Sequence, residues 1–120
     1  MAGFVYSSFV DELVRNGYVI PDSDYKAMLV TSKYAANRDH TRRSQITDEI
    51  VGLGYVPRGL AVDLVFSRVD EVPSISVSPI VFEHADFKAR AAVIYRSNGG
   101  KAVDDQLVAY VDFDGNFRFR

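Results

Sequence analysis

The chain has 120 residues, 48% hydrophobic and 25% charged, with 14 basic against 16 acidic side chains and a net charge of −2. These proportions fit a globular domain and exclude a disordered, collagenous or low-complexity chain. The length fits one domain over residues 1–120, and folding would hide roughly two-thirds of its unfolded surface.

With no cysteine in the sequence, disulfides, thiolate zinc sites and cysteine nucleophiles are excluded. The slight acidic excess disfavours a non-specific nucleic-acid binder. No apolar stretch approaches the roughly 20 residues that span a bilayer, which argues against a membrane partner. Asp11 and Glu12 come too early for a secretion signal. The chain is expected to be made in a cytoplasm.

Residues 4–16 predict a helix. Val5, Phe9 and Leu13 recur every four positions, Val10 and Val14 widen the stripe, and Asn16-Gly17 supplies a stop. Pro21-Asp22-Ser23-Asp24 reads as a turn. Residues 25–31 predict a strand with Tyr25, Ala27, Leu29 and Thr31 on one face, and residues 33–43 a polar irregular loop. Ile46 and Ile50, one helical turn apart, predict a short helix over 44–51 that Gly52 ends.

The second half reads differently. Leu60, Val62, Leu64 and Phe66 alternate, as do Ser74, Ser76 and Ser78 around Ile75 and Val77, the pattern of half-exposed strands, with Pro79 marking an edge or bulge. Residues 89–95 and 107–111 are nearly continuous apolar runs, which predicts strands covered on both sides. Asn98-Gly99-Gly100 and Asp114-Gly115-Asn116 are turn chemistry, and Phe117-Arg118-Phe119-Arg120 alternates once more as a strand at a sheet edge. About six strands after one helix, without βαβ spacing, predict an α+β fold: an N-terminal helix packed on an antiparallel β-sheet or β-sandwich.

Reactive groups are sparse. Asp39-His40 beside Arg42 and Arg43 would suit an acid–base pair with an anion clamp. No nucleophile stands at fixed spacing, and a solvated loop whose arginines meet a partner explains the cluster more simply. Glu83-His84-Ala85-Asp86 offers two ligands on one face of an extended segment, fewer than a closed metal site needs. The glycines of residues 52–59 lack the strand–loop–helix order and the Lys-Ser/Thr of a phosphate loop, and read as tight-turn residues. Seven tyrosines and eight phenylalanines fall mostly at core positions, without the interleaved basic stripe of a base-stacking surface. The residues therefore favour binding or structure over catalysis, with no cofactor and no metal.

A longer pattern carries more information. Lys26-Ala27-Met28-Leu29-Val30-Thr31-Ser32-Lys33-Tyr34 is preceded by Asp22-Ser23-Asp24-Tyr25 and followed by Asp39-His40, Arg43-Ser44-Gln45-Ile46 and Glu49-Ile50-Val51-Gly52-Leu53-Gly54-Tyr55. Together with Ala92-Val93-Ile94-Tyr95 and Leu107-Val108-Ala109-Tyr110-Val111-Asp112-Phe113, it resembles a family of small tailed-bacteriophage virion proteins encoded among the head and tail structural genes. Arg58-Gly59 stands where that family has Gly-Gly, and the C-terminal hairpin is shorter through residues 114–116. The shared motifs form strands and turns, and the resemblance carries no catalytic residue.

It implies a virion structural protein without enzymatic activity, and first of all a capsid decoration or cement protein on the exterior of the head. Its partners would be the major capsid protein, further copies of itself in a homo-oligomer, and other virion proteins. The expected contact regions are the polar loop (Arg38, Asp39, His40, Arg42 and Arg43) and the sheet edges (Ser74, Ser76 and Ser78, with Phe117, Arg118, Phe119 and Arg120). A tail or head–tail connector component is the rival within the structural class. A small nucleic-acid-binding protein, prompted by Arg38, Arg42, Arg43 and the Phe-Arg tail, is the rival outside it. A hydrolase using His40 or His84 ranks third.

Overall fold

The computed structural model describes every residue except 1, 18, 21, 70, 71, 79 and 120, and only the backbone of 2, 66–69, 72–74, 114, 116 and 117. The fold is α+β: one short helix and antiparallel sheet structure. Strands β1 (Ala2–Val5), β2 (Tyr25–Val30), β3 (Leu60–Val62), β6 (Phe87–Arg96) and β7 (Gln106–Phe119) form a sheet of order β1-β7-β6-β2-β3. Strands β4 (Leu64–Val69) and β5 (Val72–Val77) pair as a separate ribbon. Every described strand pairing is antiparallel.

The helix α1 (Ser7–Arg15) is shorter than the periodicity predicts, because residues 2–5 are spent on β1. Val5 fits either period, and pairing decides. Ala2 to Val5 sit opposite Asp112 to Ala109 of β7, and the Tyr6 N–H continues the ladder to the Val108 carbonyl at 2.9 Å. The helix buries Phe9 and Leu13, about 1.5–3 kcal/mol of apolar burial each. Val10 and Val14 are exposed, so its inner stripe is narrower than expected. Its stop is as read: Gly17 adopts φ 68°.

The predicted helix over 44–51 is a single 3₁₀ turn, Arg43–Gln45, followed by extended chain. Ile46 and Ile50 are both buried, as their spacing suggested. They get there because the segment runs beside β2: Thr31 N–H bonds to the Asp48 carbonyl and Ile50 N–H to that of Leu29. A long-range ladder outcompetes a helix of eight residues, which is marginal alone.

The expected strand over 60–66 breaks at Asp63, where the chain leaves the five-stranded sheet for the β4–β5 ribbon. Asp114-Gly115-Asn116 does not reverse the chain. Ala91 of β6 pairs with Asp112 and Ala89 with Phe117, so residues 113–116 form an excursion within β7 opposite Arg90. The turn-forming residues build a bulge, with Gly115 at φ 144°.

Both faces of the central strands are covered, as their apolar runs predicted. Met28, Val30, Ala91, Val93, Tyr95 and Leu107 face a layer made by Tyr6, Tyr34 and Ile46. On the other face Tyr25, Ala27, Ile94 and Val108 meet Phe9 and Leu13 of α1, with Ile75 and Val77 of β5 at the margin. Further along that face, Leu29, Ala89 and Ala92 pack with Ile50, Phe82 and Phe87.

The glycines of residues 52–59 act as turn residues. Gly59 has φ 83°, and a Cβ there would collide with the Ala27 carbonyl of β2. Only glycine lets the chain enter β3 this close to its neighbour.

Candidate interaction surfaces

The polar loop 33–43 is pinned to β7 through residues 41–43 and to the start of α1 through Arg38. Leu107 N–H donates to the Thr41 carbonyl at 2.9 Å, and Arg42 bridges to Gln106. Residues 41–43 thus continue along β7 where β1 leaves off. The Gln45 side chain accepts from the N–H groups of Thr41 (2.6 Å) and Arg42 (3.0 Å). Ser7 N–H at the helix start donates to the Arg38 carbonyl at 2.9 Å.

Beneath the loop, Tyr6 and Tyr34 hydroxyls lie 2.8 Å apart, and Tyr34 is 3.1 Å from His40 Nδ1. Burial, joined by the hydrogen bond to Tyr34, pushes the Tyr6 phenol far above its ordinary range. Burial raises Tyr34 as well, against the opposing hydrogen bond from Tyr6. Both stay neutral and serve as structural donors.

The five polar residues expected in this loop divide into two groups. Arg38, Asp39 and Arg42 are exposed. The Arg38 guanidinium rests 5.2 Å over the Phe4 ring, and the Asp39 N–H is held by Asn37 Oδ1 at 2.9 Å. His40 and Arg43 are turned inward. Arg43 Nε meets Asp105 Oδ2 at 2.7 Å, with side-chain exposures of 11% and 1%, and its guanidinium lies 5.2 Å over the Tyr95 ring. Burial pushes the Tyr95 phenol up to about 12, with Arg43 pulling it down. Arg43 is therefore a strut of the fold, and the outward charge of the loop belongs to Lys33, Arg38, Asp39 and Arg42.

Along the second expected region, Ser76 is exposed opposite Val65, while Ile75 and Val77 pack inward. Ser74 sits opposite Ser67 in the ribbon. Ser78, expected at a sheet-edge contact, is taken up by bonds within the fold. Its Oγ accepts from Asp63 N–H at 2.9 Å and its N–H donates to the Asp63 carbonyl at 3.0 Å, closing the base of the ribbon.

In the C-terminal strand, Phe117 pairs with Ala89 in backbone register. Arg118 reaches Asp86 at 2.6 Å, and Phe119 stacks on Phe87 at 5.1 Å. Arg120 lies outside the described residues. The structure brings the two sheet-edge regions together: Val77 and Ser78 share with Phe113 and Phe119 the walls of an apolar hollow of about 260 Å³. The loop 38–43 is separate, attached along β1 and β7.

His84 is exposed at φ 53° in the turn before β6. Among the described residues, no group of three or more His, Asp or Glu side chains is placed to hold a metal ion.

One feature had no clear signal in the sequence. Asp22 and Asp63 line a hollow of about 270 Å³ at the β3 margin, and Asp24 and Asp63 line a second of about 290 Å³ beside it. Asp22 and Asp24 are visible only as turn residues, and Asp63 as the polar member of an alternating strand. That β3 is an edge strand, which makes the three a surface, is a matter of topology. No known protein family, curated protein or solved structure matches this chain.

Proposed function

We propose that this chain is a structural protein of a tailed-bacteriophage particle, acting as a decoration protein that binds the outside of the head shell. The observation that carries the reading is the division of its charged groups. Four of the buried and half-buried ones, Arg43 with Asp105 and Arg96 with Glu12, are bound in pairs across the fold. Among the exposed ones, Arg38 and Arg42 stand on a loop held by backbone hydrogen bonds. A rigid domain with fixed surface charges suits non-covalent attachment, and many weak copies reinforce a lattice through effective concentration. The family resemblance of residues 22–55, 92–95 and 107–113 supports the same class.

Its partners are then the major capsid protein and further copies of the chain, and it forms and breaks no covalent bonds. Purified particles should contain the chain at a fixed stoichiometry, and an electron cryo-microscopy reconstruction should place it on the outer shell. Particles lacking it should lose their contents at a lower temperature. Absence of the chain from purified particles would overturn the reading.

A further inference from the structure

One cross-strand row runs the width of the sheet. Val62, Tyr25, Arg96, Gln106 and Arg42 lie side by side across β3, β2, β6, β7 and the polar loop. Four inter-strand steps put its ends about 19 Å apart. Beyond Val62 the surface is acidic, with Asp22, Asp24 and Asp63 all exposed around the two adjoining hollows and Lys26 the one cation among the described residues of their walls. At the other end Arg42 and Arg38 are exposed, with Asp39 the acid beside them, and the neighbouring Arg43 is neutralised by Asp105.

We propose that copies of the chain associate head to tail, the Arg38–Arg42 end of one docking on the Asp22–Asp24–Asp63 end of the next. Opposite charges at the two ends of one rigid row select a second copy as the occupant. Satisfying one end leaves the complementary end free for the following copy. A two-fold contact through either end alone would set like charges together, which opposes association. The contact is therefore heterologous and generates a ring or a filament rather than a closed dimer.

Side chains make the joint, because the loop's backbone is already committed. The N–H groups of Thr41 and Arg42 go to Gln45 Oε1, that of Arg43 to the Asp105 carbonyl, and the Arg42 carbonyl accepts from Gln45 N–H. The inference rests on the reading of the chain as a virion protein whose partners include further copies of itself.

Sedimentation of the purified chain tests it. The wild type should form assemblies larger than dimers at low salt that dissociate as salt rises. Arg42→Glu makes both ends acidic and Asp22→Arg combined with Asp63→Arg makes both basic, and each variant should weaken assembly by about tenfold or more. Mixing the two should restore it, since each variant then offers what the other lacks. Arg15→Glu, exposed at the end of α1, is the control and should assemble normally, and circular dichroism verifies that all variants fold. A wild type that stays monomeric at low salt, variants that assemble normally, or a mixture that fails to recover would each overturn the proposal. A monomeric chain that is nevertheless present in particles sinks the head-to-tail joint alone. An assembling chain absent from particles sinks the virion reading alone.

Discussion

Arg43 and Asp105 are 62 positions apart and meet at 2.7 Å, tying the polar loop to the residue just before β7. The aspartate is 1% exposed, and its other oxygen accepts the Asn98 N–H at 2.7 Å. The carboxylate therefore fastens two loops at once. Replacing one partner of such a pair strands the other charge, so Asp105→Ala should cost about 3–5 kcal/mol in urea denaturation. Arg43→Met with Asp105→Leu should lose less than Asp105→Ala, because neither charge is then left alone.

Tyr34 stands between Tyr6 and His40, so its hydroxyl matters more than that of either neighbour. Tyr34→Phe leaves the fully buried Tyr6 hydroxyl without its partner, a penalty of about 1–3 kcal/mol. Tyr6→Phe leaves Tyr34 its contact with His40 and should cost less. Thermal denaturation of the two variants gives the order directly.

Five tyrosines, Tyr6, Tyr34, Tyr55, Tyr95 and Tyr110, have phenols raised above 10.0, chiefly by burial. A raised folded value means the native state holds its protons longer than the unfolded chain. Their contribution is thus complete below pH 10 and is lost as pH rises through the folded values, which for Tyr95 is about 12. Each such group removes about 1.4 kcal/mol of stability per pH unit in that window. Phenolate absorbance should therefore appear largely together with loss of the near-ultraviolet dichroism signal. A smooth titration of all seven tyrosines in a folded chain would contradict this.

Two glycines with the same φ of 83° make a controlled comparison. Around Gly99 there is open space, whereas a Cβ on Gly59 would strike the Ala27 backbone. Gly99→Ala should cost only the left-handed strain of about 1–2 kcal/mol. Gly59→Ala should cost clearly more, or prevent folding, because β2 and β3 must separate. Melting temperatures of the two variants check the difference.

The sequence is legible where one physical signal acts alone. The apolar runs of β6 and β7 announce strands covered on both faces, and Gly17 announces the end of α1. It misleads where periodicity competes with pairing across the chain: Val5 fits a helix but pairs with Ala109, and Ile46 and Ile50 fit a helix but lie along β2. Gly115 with its neighbours reads as a reversal because local turn chemistry does not distinguish a hairpin from a bulge. At the surfaces, Arg38, Asp39 and Arg42 are exposed as expected, whereas the inward turn of Arg43 depends on Asp105, a partner no local pattern identifies. The acidic margin is invisible for the same reason, since Asp22 and Asp63 become neighbours only through the order of the strands.

That order also governs how the chain matures during synthesis. β1 leaves the ribosome well before β7, yet β7 is its sole strand partner among the described residues, with Ala2 opposite Asp112. Until that part of β7 has emerged, Phe4 and Val5 have no ladder to join, and the nascent chain carries them unpaired while the residues between are made. Such late closure makes folding slow and leaves the emerging protein open to capture by chaperones.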